Sequence, residues 1–265
     1  MTGQRLRRDG LLVVARRAVL LVAVWLAATG AAPIRLITDI SQRRIDIVYT
    51  FRGAELLVFG AIQYPTGAVP DEPPGLAVVV RGPPVPITVR KKARVAGVWI
   101  NTDSVRFETA PGFYAIATSA PIRDLVDERT AAIYEIGVDN LQLSPASGAS
   151  PAQTSAFERG LIDLRRRTGL FAEHEGDVGV TQGVLYRARI AIPSAVPVGD
   201  YNAEIFLIRR GKVIARSVTP ISIDKSGFER WVYVFSRHYS LLYGIVAVTA
   251  ALFAGWLAGV IVRRR

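Results

Sequence analysis

A chain of 265 residues with no cysteine, one methionine and two histidines, His174 and His238, cannot form disulfides or use a thiolate, and is poorly supplied for a copper or zinc centre. Its formal net charge of +11 suggests nucleic acid at first, but the excess gathers at the two ends. Arg5, Arg7, Arg8, Arg16 and Arg17 are opposed only by Asp9 in residues 1–31, and Arg263, Arg264 and Arg265 close the chain. Charge flanking hydrophobic segments is a topology signal, so nucleic acid is not expected as a partner.

The first arginines precede "AVLLVAVWLAA", Ala18 to Ala28, an apolar run too short to span a hydrocarbon core of about 30 Å. Small residues follow in "ATGAA". A basic region, a short apolar core and a small-residue exit describe a secretory signal peptide over 1–31, with cleavage expected near Gly30 to Ala32.

The body then alternates with period two. "RIDIVYTF" sets Ile45, Ile47, Tyr49 and Phe51 on one face, and "AELLVFGAI", "GLAVVVRG", "VPITVRK", "SVRFETA" and "GFYAIAT" continue as short strands cut by Gly and Pro. This predicts a first β-sandwich region over 33–120. Within it, "ITVRKKARVAGVWIN" places Arg90, Lys92 and Arg94 on one strand face and Lys91 on the other. Two readings stand: an edge strand whose charges discourage unwanted pairing, or a surface for an anion, a lipid headgroup or an acidic partner, with Trp99 as its anchor. Beside Val95 and Val98, Trp99 by itself would be expected in a core.

A helical segment with a loop is predicted over 121–170. "PIRDLVDERTAAIYEIG" spaces Leu125, Val126, Ile133 and Ile136 as a helix would, and "SPASGASPAQ", Ser144 to Gln153, has loop composition. Ser155 and Glu158 are expected as a capping box opening a helix with Phe157, Leu161 and Leu164 on one face. A second β region, 171–225, holds "LYRARIAIP", a strand from Tyr201, a hairpin turn at Arg210-Gly211 and a return strand. The expected fold is mainly β: immunoglobulin-like β-sandwich modules, two rather than one, with a helical insertion and one C-terminal transmembrane helix.

Residues 226–238 are expected at a membrane interface, with Phe228, Trp231, Phe235 and Tyr239 as aromatic anchors. "YSLLYGIVAVTAALFAGWLAGVIV", Tyr239 to Val262, carries no charge and is long enough to span a bilayer. Ala247, Ala251, Gly255 and Gly259 recur every four residues and offer a smooth seam for a second helix. Arg263, Arg264 and Arg265 mark the 263–265 tail as cytoplasmic, which places the bulk of the chain, about 33–237, outside the cytoplasmic membrane.

Catalytic signals are sparse. "EHEGD", Glu173 to Asp177, is dense in carboxylates but has neither zinc nor calcium ligand spacing, and reads as a solvated turn. Ser222 and Lys225 spell S-x-x-K without the companion motifs of penicillin-binding enzymes, and no catalytic, metal or cofactor site is expected.

The order of "ITDISQRRIDIVYTFRGAELLVFGAI", "VRKKARVAGVWIN", "LYRARIAIPSAVPVGDYNAEIFLIRRGKVI" and "KSGFERWVYVFSR…YGIVAVTAALFAGWLAG" resembles the putative transmembrane protein family of alphaproteobacteria. The resemblance implies a signal segment, an exported domain and one C-terminal span, and it carries over no catalytic residue. The expected function is that of a non-enzymatic accessory protein anchored in the lipid bilayer. Its partner would be another membrane or periplasmic protein, such as a transporter, or a second copy of the chain. The alternative is a module that binds a small anion or an anionic envelope polymer through the basic strand face.

Overall fold

Two sheets take up the alternation of the sequence. The computed structural model describes residues 34–47, 52–65, 67–146, 148, 150–225 and 235–263. In it β1 (Arg35–Ile40), β3 (Gly53–Gln63), β10 (Gly179–Thr181) and β11 (Leu185–Pro193) form an antiparallel sheet ordered β1-β3-β11-β10. Along β11 the residues Tyr186, Ala188, Ile190 and Ile192 are buried while Arg187 and Arg189 face water, as a sheet with one wet face requires.

The second sheet has six strands: β2 (Arg44–Ile47), β13 (Lys212–Lys225), β12 (Gly199–Arg209), β4 (Gly75–Arg81), β7 (Tyr114–Thr118) and β9 (Phe171–His174). Its interior strands pair antiparallel, and its edge strands β2 and β9 join in parallel. The centre is buried on both faces, which is why β4 and β7 read as unbroken apolar runs. One face meets the first sheet; the other is covered by α1 (Ile122–Leu125) and α2 (Glu128–Tyr134), with the Tyr134 ring 5.5 Å from that of Phe206.

The expectation of two sandwich modules does not hold. β3 from the first β region pairs with β11 from the second, and β12 pairs with β4, so both stretches build one sandwich around one main core. Period-two patterning tells which face of a strand is dry but not which strand lies beside it.

The helical stretch is also cut differently. Val126 is extended, and Asp127 accepts a hydrogen bond from Thr130 N at 2.6 Å, so the expected single helix breaks into α1 and α2. The next helix, α3 (Pro151–Arg167), starts ahead of Ser155. Its cap is Ser150, which with Gln153 forms a reciprocal capping box, and Pro151 fills the first helical position. Ser150→Ala is expected to cost about 1 kcal/mol and to weaken amide-exchange protection in the first turns of α3 before anywhere else.

A third sheet stands apart from the sandwich. β5 (Pro84–Val95) and β6 (Val98–Pro111) form a long hairpin, with the short β8 (Ser144–Pro145) along the root of β6. Its root is glued to α3 by a separate small core of Val105, Phe107, Ala110, Leu143, Phe157 and Leu161. The last helix, α4 (Ser240–Arg263), contains an 18-residue window, Ser240–Leu257, of mean hydropathy 1.9 with none of it buried. Among the described residues it is the one helix long and apolar enough to cross a membrane.

Candidate functional site

The β5–β6 hairpin concentrates what the sandwich leaves unexplained. Its turn is the pair Ala96–Gly97, with φ of 48° and 85°, the double left-handed conformation that matches the twist of a two-residue hairpin. Glycine takes that conformation freely, and an added Cβ at Gly97 would meet nothing within 4 Å, so the turn stands in open solvent. From Arg90 to Ser104 no residue is buried.

A β-bulge decides which side chains share a face. Lys91 pairs with Asp103, but Lys92 pairs with Asn101, so β6 spends one extra residue at Thr102. Below the bulge, Val89 and Val105 and then Ile87 and Phe107 point together toward α3. Above it, Arg94 stands opposite Trp99, so Arg90, Lys92, Arg94 and Trp99 share one face. Val95, Val98 and Ile100 take the other, with Ala93. The four residues expected from the sequence are thus brought together.

The expectation that Trp99 alone belongs to a core is overturned. Its exposure is 67%, and Val98 at 63%, Val95 at 49% and Ile100 at 45% are open as well. The cations are unneutralised: among the described residues none of Arg90, Lys91, Lys92 and Arg94 has a carboxylate within salt-bridge distance, whereas Arg106 nearer the root pairs with Glu108 at 3.0 Å. Arg94 Nε donates to Gly97 O at 3.2 Å, which folds its stem back over the turn. β5 is also the outer strand of its sheet, the position the edge-strand reading expects, and its Pro84 and Pro86 have no backbone donor.

At the root a cleft of about 650 Å³ opens between the hairpin and α3. Val89 and Phe157 form its apolar wall, Lys91 and Asp163 its polar rim, and Leu164 is 56% exposed beside it. The cleft is roomy because α3 carries Ala152, Ala156 and Gly160 at four-residue intervals, and a Cβ on Gly160 would touch nothing. Reading the helix start at Ser155 hid this small-residue row; the spacing was there to find.

Other candidates are engaged in local contacts. Glu173 Oε1 accepts from Val138 N at 2.6 Å and its Oε2 pairs with Arg166 at 2.9 Å, while Glu175 accepts from Ile122 N at 3.1 Å. Those carboxylates cap short helical turns. His174 Nδ1 lies 3.6 Å from Asp177, and no cluster of three or more metal-ligating side chains occurs among the described residues. Ser222 sits in β13, not at the start of a helix, with Asp224 3.4 Å from its hydroxyl.

On α4, Ala247, Ala251, Gly255 and Gly259 fall on one helical face, and a Cβ on either glycine would meet nothing. The Phe235 ring lies 5.8 Å from that of Tyr239 and, edge-on, 6.4 Å from that of Tyr243, so Tyr243 clusters with two of the expected aromatic residues. Arg263 ends the helix. Residues 1–31, Phe228, Trp231, Arg264 and Arg265 lie outside the described residues.

A membrane-type helix at the end of a mainly β chain is also what a family comparison finds. The family model described as Putative transmembrane protein (Alph_Pro_TM) matches residues 35–264. The chain belongs to that family. The match takes in the whole sandwich, the hairpin and α4, so a transmembrane protein associated with a lipid bilayer is the shared description. No curated protein matches the chain.

Proposed function

We propose that this family member is an accessory protein of the cell envelope that works by contact and not by catalysis. Its body would lie in the periplasm, held at the inner membrane by α4 with the basic tail in the cytoplasm. A cleaved signal at residues 1–31 would deliver it there. The observation that carries the reading is the β5–β6 hairpin, an arm whose outer half is buried by nothing among the described residues. Contiguous exposed apolar side chains are costly in water, and they mark interaction surfaces when they coincide with unpaired charge.

The cleft at the hairpin root, about 650 Å³, offers room for side chains of a protein partner, and the smooth face of α4 can admit that partner's span or a second copy of this one. The partner class is another envelope membrane protein, such as a transporter or an assembly component. Purification in mild detergent tests this. An associated subunit or a dimer is expected with the native chain and is lost on joint Gly255→Leu and Gly259→Leu substitution. A strictly monomeric, unaccompanied protein in both cases overturns it.

One observation favours a second reading. Arg90, Lys92 and Arg94 lie on one face without carboxylate partners, the arrangement that attracts an anion or an anionic envelope polymer.

A further inference from the structure

We propose that the tip of the β5–β6 hairpin dips into an anionic lipid surface, giving the body a second foothold on the membrane beside α4. In this arrangement Val95, Val98, Trp99 and Ile100 sit at headgroup depth. Arg90, Lys91, Lys92 and Arg94 bind lipid phosphates behind them. The proposal rests on the reading of the basic face as an anion-contact surface and names the anion.

Three features select a bilayer over a protein partner for the tip, and leave the protein partner to the root cleft and the face of α4. First, the exposed apolar side chains lie on both faces of the tip: Trp99 on one, Val95, Val98 and Ile100 on the other. A protein docking on a sheet face covers one side, whereas a bilayer surrounds both. Second, the tip is only two strands wide, about 5 Å from strand to strand. One face of so narrow a tip presents much less than the roughly 800 Å² per partner of a stable protein interface. Third, apolar and cationic groups are ordered along the arm. The turn residues lead, and the cations trail Val95 by one to five positions, about 3–17 Å at 3.3 Å per residue. Tryptophan prefers the interface, and long cationic side chains reach back to phosphates from either side of it.

Charge complementarity fixes the lipid class. Between Arg90 and Asp103 stand four cations and one carboxylate, so a zwitterionic surface would leave most of the charge unmatched while an anionic one would neutralise it. The tether makes a weak contact effective. From Lys225 to Ser240 the chain extends at most about 50 Å, so the body cannot leave the neighbourhood of the bilayer that holds α4. The depth is bounded as well. The outer edge of β5 has backbone groups that need water or headgroups, so the tip stops short of the hydrocarbon core.

The cysteine-free chain allows a direct test with the whole protein. Val98→Cys, carrying an environment-sensitive fluorophore, is placed in nanodiscs of phosphatidylcholine alone or of a three-to-one mixture with phosphatidylglycerol. Spin-labelled lipid is the quencher, and a label at the exposed Arg159 of α3 is the control. Strong quenching at Val98 in the anionic discs only, with the Arg159 label unchanged, is the expected result. Each cation removed should lower the docked-to-free ratio roughly fivefold, and Arg90→Ala, Lys92→Ala and Arg94→Ala together about a hundredfold, to the zwitterionic level. Equal quenching in both lipids, or quenching that survives the triple substitution, overturns the proposal. No quenching, but a fluorescence response to soluble polyphosphate that the triple substitution removes, overturns the bilayer and leaves the anion surface standing. No response to either probe overturns both.

Discussion

Tyr114→Phe is expected to lower the melting temperature of the detergent-solubilised protein by about 5–15 °C, although it removes one atom. The phenol of Tyr114 is fully buried under α2, where its hydroxyl donates to Glu135 O at 2.8 Å and accepts from Gly137 N at 2.9 Å. These two backbone groups belong to the left-handed exit of α2, with φ of 50° at Glu135 and 101° at Gly137, which no helical hydrogen bond satisfies. The same Glu135 pairs through its carboxylate with Arg81 and accepts from Gln142 N at 2.9 Å. Phenylalanine would keep the edge contact with Phe171 but leave the buried Gly137 N and the part-buried Glu135 O without this hydroxyl, at about 1–3 kcal/mol each. At about 2–4 °C per kcal/mol for a chain of this size, the full range is about 4–24 °C, and the stated shift is its middle part. A change below about 2 °C would mean that water replaces the hydroxyl and that α2 is not held by it.

The same residue gives the alkaline limb of stability a sign. Burial pushes the Tyr114 ionisation well above the ordinary phenol value, and burial raises that of Tyr201 too. The folded state therefore keeps protons that the unfolded chain releases near pH 10. This contribution is complete below that pH and is lost as pH rises toward the folded values. Stability should fall above about pH 10, with a shallower slope in Tyr114→Phe.

Local patterning made much of this chain legible. The wet and dry faces of β11 could be read directly because Arg187 and Arg189 alternate with Tyr186, Ala188 and Ile190. The turn at Arg210-Gly211 was visible too, with φ of 50° and 76° as the residue pair suggests. Pairing between distant strands was not. β3 meets β11 across more than a hundred residues, and nothing in the alternation of either names the other, so one sandwich looked like two. The site was half legible. Arg90, Lys92 and Arg94 follow from the pleat of β5, but the placement of Trp99 beside them depends on the bulge at Thr102. Without that extra residue Trp99 would fall on the opposite face, with Val95 and Ala93.

Phe107→Ala should have the largest local effect, and it should separate the hairpin from the sandwich. Phe107 is completely buried in a small core of its own, shared with Val105, Ala110, Leu143, Phe157 and Leu161. Deleting such a ring costs about 3–5 kcal/mol, and a cluster this small has few neighbours with which to collapse the cavity. The loss falls on one seam, α3 against β5 and β6, because the buried members of the main core are other residues and only the half-buried Leu141 packs against both. Amide exchange should therefore accelerate through β5, β6 and α3, by roughly a hundredfold or more for 3–5 kcal/mol, while β4 and β12 keep their protection. Equal loss of protection in β4 and β12 would show the two cores melting as one. The variant also tests what an anchoring arm must be. A bilayer or a partner can use Trp99 and the cations efficiently only if the root holds the arm in one direction, since a loose arm must be ordered again on every contact. With the tip residues untouched, weaker docking in Phe107→Ala would trace function to the rigidity of the root as well as to the chemistry of the tip.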